Sequence, residues 1–323
     1  MPKPESNKER EDKCLVLLVA DQHYLIPTLI VAFQIRDAIV RPEDVDVIVY
    51  VTSPRSSDMD AASRHAQSRG VDVRYWLLPD TEDAQLDFTS HVSPATLGRL
   101  FIAEELSDEY SRLIYVDGDV QITGNISDFL NFVPPDNMLV ASVDSVAACI
   151  NPKSAHGQDF LGYISNLGIN EIDQYFNAGI LCCKLSTWKS TAREAIAYIR
   201  SHPDRCRFHD QSALNAVMRG KWLPMHPRFN YGPIYQEIGA PFDPEIFHFH
   251  GPDKPWTESM PFGCDLAAPY AAIRRDLPFL PGPADNGRIR HLGNPYSPSR
   301  LIRNARRRHR LKKYLRKTDF VLE

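Results

Sequence analysis

Along the first half of the chain, short and wholly apolar runs alternate with longer segments whose apolar positions recur every three or four residues. Cys14–Ala20 is continuous apolar sequence and predicts a strand buried on both faces, ending at Asp21. Ile26–Ile39 follows with helical spacing, and Pro27 is acceptable in its first turn. Val45–Val51 predicts a second strand, Ser57–Arg69 a helix closed by Gly70, and Val71–Leu78 a third strand. Ser93 is positioned as an N-cap with Pro94 as the first helical residue, and that helix runs to about Leu106. Leu113–Val116 is the next buried strand and stops abruptly at Asp117-Gly118-Asp119. Alternation at this spacing predicts an α/β fold, a mostly parallel sheet with helices on both faces. Further on, Met138–Asp144 and Tyr175–Leu185 read as strands, while Asn151–Gln174 shows no clear period. Ser186 is expected to cap a helix to about Arg200, and His209 to open another that ends at Gly220.

Composition adds bounds rather than detail. The 323 residues, 43% hydrophobic and 24% charged, suit one large domain, and no repeat or clean linker divides them. Six cysteines without a C-x-x-C pair or regular spacing suggest neither a zinc ribbon nor a disulfide framework and read as reduced, mostly buried thiols. Met1–Lys13 lacks an apolar run of signal-peptide length, and Asp21, Gln22 and His23 interrupt the most apolar region. A cytoplasmic protein is the expectation.

Charge is distributed unevenly. The net −4 divides into −12 over residues 1–299 and +8 over the last 24, with ten Lys or Arg and no acid between Arg300 and Lys317. Body and tail therefore have different partners. Leu301, Ile302, Ala305, Leu311, Tyr314 and Leu315 lay a broad, imperfect apolar stripe through that tail, which predicts a peripheral anchor on an anionic membrane surface. A nucleic-acid arm is disfavoured by the acidic body and the lack of interleaved aromatics, so no nucleic-acid partner is expected.

The candidate chemistry begins at the end of the Leu113–Val116 strand. In an open α/β sheet ligands bind at the carboxyl ends of the strands, and there Asp117 and Asp119 stand with only Gly118 between them. Two close carboxylates suit a hard divalent cation such as Mg²⁺ or Mn²⁺, and Gly118 would let a bulky ligand approach the backbone. Asp-Gly is also ordinary turn chemistry.

Six motifs in order carry a wider pattern: Ala20-Asp-Gln-His-Tyr24, His91-Val-Ser-Pro-Ala-Thr-Leu-Gly-Arg-Leu100, Tyr115-Val-Asp-Gly-Asp-Val120, Tyr175-Phe-Asn-Ala-Gly-Ile180, Asp210-Gln-Ser-Ala-Leu-Asn215 and His248-Phe-His-Gly-Pro-Asp-Lys-Pro-Trp256. Together they resemble glycosyltransferase family 8, in particular its bacterial lipopolysaccharide galactosyl- and glucosyltransferases. The resemblance implies a single GT-A-type nucleotide-sugar-binding domain over residues 14–280, between a disordered terminus (1–13) and the basic helical tail (281–323). It implies metal ligation by Asp117, Asp119 and His248, with Mn²⁺ favoured and Mg²⁺ as the alternative. It assigns Ala20, Asp21 and Tyr24 to the uridine pocket, His91 to a donor contact, and Arg99, Lys254 and Gly251 to the diphosphate. Asp210 and Gln211 would face the sugar, though Asp210 is also an ideal helix N-cap, and Asp144 and Asn177 would meet hydroxyls of donor or acceptor. The implied reaction is metal-dependent, retaining transfer of galactose or glucose from a UDP-hexose to a saccharide hydroxyl of a lipid-linked core, at the inner face of the cytoplasmic membrane. The alternative is an inactive saccharide-binding protein on the same fold. Two departures bear on the sugar: Leu97 replaces the family's aromatic residue two positions before the helix arginine, and His23 replaces an asparagine of the galactosyltransferase branch.

Overall fold

In a computed structural model, residues 13–77, 94–251, 254–256, 266–280 and 297–323 are described. The chain runs β1 (Cys14–Ala20), α1 (Leu25–Ala38), β2 (Val45–Val51), α2 (Ser57–Ser68), β3 (Asp72–Tyr75), α3 (Pro94–Phe101) and β4 (Arg112–Val116). It continues through β5 (Val120–Ile122), α4 (Ser127–Asn131), β6 (Leu139–Val143), α5 (Ser145–Cys149), α6 (Ala155–Asn166), β7 (Phe176–Lys184) and α7 (Leu185–Ser201). Last come α8 (His209–Val217), β8 (Trp222–Pro224), α9 (Pro233–Glu237), β9 (Ile246–His248), α10 (Ala268–Asp276) and α11 (Pro298–Lys317).

The main sheet has the order β3-β2-β1-β4-β7-β6-β8, and β5 pairs with β9 in a separate two-stranded ribbon. β1, β2, β3 and β4 are parallel, whereas β7 is antiparallel to both its neighbours. Alternate residues of the strands feed different cores, as expected for strands covered on both faces. Cys14, Val16 and Leu18 of β1 join α1, α2 and α10 on one face, and Leu15, Leu17 and Val19 join α3, α7 and α8 on the other. A third cluster gathers α5, α6, α9, β9 and α11.

Three local expectations are corrected. Lys184, not Ser186, is the N-cap of α7, and no side chain caps that end. The N-cap of α8 is Phe208, so Asp210 lies in the first turn with its carboxylate otherwise engaged. The aperiodic Asn151–Gln174 contains α6, capped by Ser154, whose hydroxyl accepts from Gly157 N–H. That helix buries only Gly157, Phe160, Tyr163 and Ile164, too few apolar positions to set up a readable period. The glycine before Arg99 has a packing reason: a Cβ on Gly98 would lie 3.0 Å from Val19 Cγ1, so α3 rides close to β1, and Leu97 is core rather than a ligand contact.

The basic tail is docked rather than free. Leu311 is fully buried and Tyr314 nearly so, and Leu322 enters the main core beside Met225. The stripe predicted along this helix is thus divided. Leu311, Tyr314 and Leu315 pack against the body, while Leu301 and Ile302 remain 52% and 55% exposed.

Candidate active site

β4 delivers Asp117 to the carboxyl edge of the sheet, where its N–H donates to Gly179 O of β7 at 2.8 Å. Asp119 follows after the turn, and β5 then pairs with β9 so that Val120 stands opposite His248. These two strand pairings bring residues 129 positions apart in sequence together. His248 Nε2 lies 3.3 Å from Asp119 Oδ1 and 3.7 Å from Asp117 Oδ2. One donor atom from each of the three falls within 4.8 Å of the others, and two carboxylate oxygens with an imidazole nitrogen form a set with the chemistry to hold a divalent ion.

The imidazole is oriented from behind. Buried Asn230 presents Oδ1 at 2.8 Å from His248 Nδ1, and an amide oxygen can only accept. Nδ1 therefore donates to Asn230, and Nε2 is the ring nitrogen that faces the carboxylates, the arrangement that orients a metal-ligating histidine. Asn230 Nδ2 donates in turn to Asn177 Oδ1, which also accepts from Gly179 N–H. Asn177 Nδ2 reaches Asp144 Oδ2 at 3.5 Å. A buried polar chain thus runs from His248 through Asn230 and Asn177 to Asp144.

The two aspartates sit in different fields. Burial raises the Asp117 carboxyl, Arg99 opposes that and Asp119 reinforces it, with a net rise. Burial acts on Asp119 as well, but Lys254 and His248 outweigh it and hold its carboxyl well below the ordinary range. Lys254 Nζ donates to Asp119 Oδ2 at 2.5 Å and to Phe249 O at 2.6 Å.

Arg99 lies beneath this group with its charge already matched. Its guanidinium donates to Asp210 Oδ2 at 2.6 Å and to Ala178 O, stands 3.6 Å from Asp117 Oδ1, and covers the Tyr115 ring at 4.5 Å. Arg99 and Asp210 are 3% and 2% exposed, so the pair buttresses the site from within. Gln211 is pinned at both ends, Oε1 accepting from Ala178 N–H and Nε2 donating to the Tyr175 hydroxyl. Asp144 caps α5, accepting from Val146 and Ala147 N–H, and burial raises its carboxyl above the usual range.

At the other side, Asp21 Oδ1 accepts from the N–H groups of His23 and Tyr24, which makes the turn after β1 rigid. Ala20 is buried at the strand end, and Tyr24 meets Trp256 edge-on at 5.8 Å. Gly118 has a packing reason of its own: a Cβ there would fall 2.1 Å from Thr28 Oγ1, so close packing on α1 requires the glycine. Gly251 has φ +99°, and a Cβ would meet nothing within 4 Å. His91 and Ser93 lie outside the described residues.

Residues 15–260 match the model of the family described as "Glycosyl transferase family 8". The chain belongs to glycosyl transferase family 8. It is 27% identical over 192 residues to General stress protein A of Bacillus subtilis (strain 168), covering 53% of this chain and 62% of that one. It is 24% identical over 212 residues to the lipopolysaccharide 1,3-galactosyltransferase of Salmonella typhimurium, covering 62% of this chain and 60% of that one. The chain thus spans about three-fifths of either relative. The crystal structure of the galactosyltransferase LgtC with donor and acceptor sugar analogs superposes with a TM-score of 0.66 at 20% identity, over 81% of this chain and 99% of that one, a likeness of fold.

Against the family 8 expectations, Asp117, Asp119, His248 and Lys254 converge, and Asp144, Asn177 and Gln211 form an adjoining group. Asn230, Tyr115 and Tyr175 were not foreseen as site residues. The two tyrosines stood inside quoted motifs, but Asn230 occupies a one-turn segment, Pro227–Asn230, with no pattern to mark it. His250 was also passed over: its Nε2 lies 3.1 Å from Ser145 Oγ, and burial, then His248, push its pKa down to about 3.

Proposed function

We propose that the chain is a metal-dependent, retaining hexosyltransferase that moves galactose or glucose from a UDP-hexose to a saccharide hydroxyl, with a lipopolysaccharide-type core as acceptor. The observation that carries this reading is the convergence, at one sheet edge, of Asp117, Asp119 and His248 beside Asp144, Asn177 and Gln211. Asp117, Asp119 and His248 would hold the ion, Mn²⁺ in preference to Mg²⁺ given the imidazole. When bound, such an ion supplies Lewis-acid stabilisation of the departing diphosphate. Lys254, paired with Asp119, adds positive charge at the same edge, and Arg99 keeps Asp117 and Asp210 in register. Tyr24, beside Trp256, offers a ring to the uracil base, and Asp21 fixes the turn that carries it.

Retention is what membership of family 8 implies, and the committed carboxylates bear only on the route to it. Asp210 is locked by Arg99, and Asp144 accepts two backbone N–H groups, so neither is free to act as nucleophile. Front-face attack is then favoured over a covalent glycosyl-enzyme. The pinned Gln211 side chain would present its edge to the anomeric centre, and Asp144 with Asn177 would accept and donate to sugar hydroxyls. A screen of UDP-hexose hydrolysis with and without Mn²⁺ tests activity and donor together. Metal-dependent release of UDP from UDP-galactose or UDP-glucose is expected, and silence toward every UDP-hexose in Mn²⁺ would return the chain to saccharide binding alone.

The outward face of α11 supports attachment to an anionic membrane. Exposed Leu301 and Ile302 lie on a helix that also exposes Arg308, Lys312 and Lys313. No helix among the described residues is long and apolar enough to cross a bilayer, so attachment would be peripheral. Cosedimentation with anionic vesicles at low salt is expected, and its absence there would remove this part of the reading.

A further inference from the structure

Asp144 caps α5, and the same helix continues into the wall of a groove whose lining includes none of Asp117, Asp119 and His248. The groove, about 540 Å³, opens between α5, the turn that follows it, Glu171–Asp173 and the C-terminal half of α11. That volume suits a head group with a few carbons attached, the scale of a small-molecule site. One wall is hydrocarbon, from Ala148, Ile150, Leu161 and Ile172. The other is cationic: Arg310, Lys313 and Lys317 recur at helical spacing along one side of α11.

The cations of α11 are not all alike. Arg300, Arg303 and Arg307 gather on Glu237, and Lys317 pairs with Asp173, so these four serve to dock the helix. Arg310 and Lys313 have no carboxylate within ion-pair distance among the described residues, although both line the groove. Burial, followed by the nearby charges of Arg306 and Arg307, holds the Arg310 guanidinium below its ordinary value, as expected of a cation short of a counter-charge. Lys153 adds a fourth cation to the lining, against the carboxylates of Glu171 and Asp173 alone. Excess positive charge facing a hydrocarbon wall selects against neutral saccharides and against cations. It matches an anion that carries hydrocarbon.

We propose that this groove binds a single anionic amphiphile, a phosphate ester with its phosphate between Arg310 and Lys313 and its hydrocarbon along Ala148, Ile150, Leu161 and Ile172. The site shares no residue with the Asp117 cluster and does not depend on the transferase reading. Its occupant would bridge α11 to α5, the helix that Asp144 caps.

Calorimetry on the full chain with dihexanoyl phosphatidic acid below its aggregation concentration tests this, alongside inorganic phosphate and dihexanoyl phosphatidylcholine. One phosphatidic acid per chain is expected, bound roughly tenfold or more tighter than either comparison compound, since head and tail each contribute. The double variant Arg310→Gln/Lys313→Gln should lose about tenfold or more in affinity. Leu161→Glu, which sets a negative charge against the phosphate, should do the same from the opposite wall. Arg308→Gln/Lys312→Gln alters cations that are exposed and outside the groove, and should leave this binding unchanged while weakening vesicle attachment. Equal affinity for inorganic phosphate, equal affinity for phosphatidylcholine, or wild-type binding by both groove variants would each overturn the assignment.

Discussion

A methyl group on Gly179 would lie 2.3 Å from His248 Cε1 and 2.6 Å from Asp117 Oδ2, distances that real Cβ atoms do not adopt. Gly179→Ala should therefore displace two of the three candidate ligands at once, and a misplacement near 1 Å can lower turnover by about 100-fold. Steady-state rates on the responsive UDP-hexose would check it, with the melting temperature confirming that the chain still folds. Asp119→Asn removes a charged ligand and should lower turnover by roughly 100-fold or more, and full wild-type activity in excess EDTA would overturn the metal reading behind it. Asn230→Ala acts one shell further out. Freed of its acceptor, the His248 ring loses its fixed tautomer, and Mn²⁺ affinity measured by calorimetry should fall about ten- to 100-fold. Asp117, Asp119 and His248 were legible in the sequence because the acids end an unmistakable strand and the histidine sits in a long motif. Asn230 was not, because what makes it functional is a contact with residues 18 and 53 positions away, and nothing in its own short segment encodes that contact.

Among the elements, those with a wholly apolar run were readable nearly to the residue. β1 and β2 coincide with their predicted bounds: β1 carries no polar residue, and β2 carries only Asp46 near its start, where Lys13 and the Tyr110 hydroxyl pair with it. α6 escapes because its exposed face and its glycines dilute the period, and the cap alternative for Asp210 fails because a local rule cannot foresee the arginine that claims it. The predicted stripe on α11 had the right residues but assumed one partner, where the structure divides them between the body and solvent. The inner part is the testable one. Leu311 is fully buried, so Leu311→Ala should destabilise the docked helix by about 2–5 kcal/mol, read as earlier loss of α11 protection in hydrogen exchange, with strands β1 and β4 protected as before.

For the molecule as a whole, acid stability should turn in part on His226. Burial first, and Arg228 second, push its pKa down to about 4, while its Nδ1 accepts from Arg228 N–H and its ring packs on Phe242 and Phe320. The unfolded chain titrates near the ordinary 6.5, so between those values it binds the proton that the folded chain refuses. The stabilising contribution is complete above pH 6.5 and is lost as pH falls toward 4. Denaturant unfolding across that window should show the decline, and His226→Asn, which keeps an acceptor but does not titrate, should reduce it, with the remainder carried by His250, whose pKa is also pushed down. The reversal of β7 carries a different consequence, one for handling the molecule. Because it runs against β4, its entry at Phe176 to Gly179 lies at the chemical edge, and its exit at Lys184 lies beside Arg112, where β4 begins. Five residue steps of strand, about 17 Å, separate Gly179 from Lys184. A dye or surface tether attached at Lys184, whose partner there is the exposed Asp136, would therefore hold the protein by its opposite rim and leave the mouth of the site open to the solution.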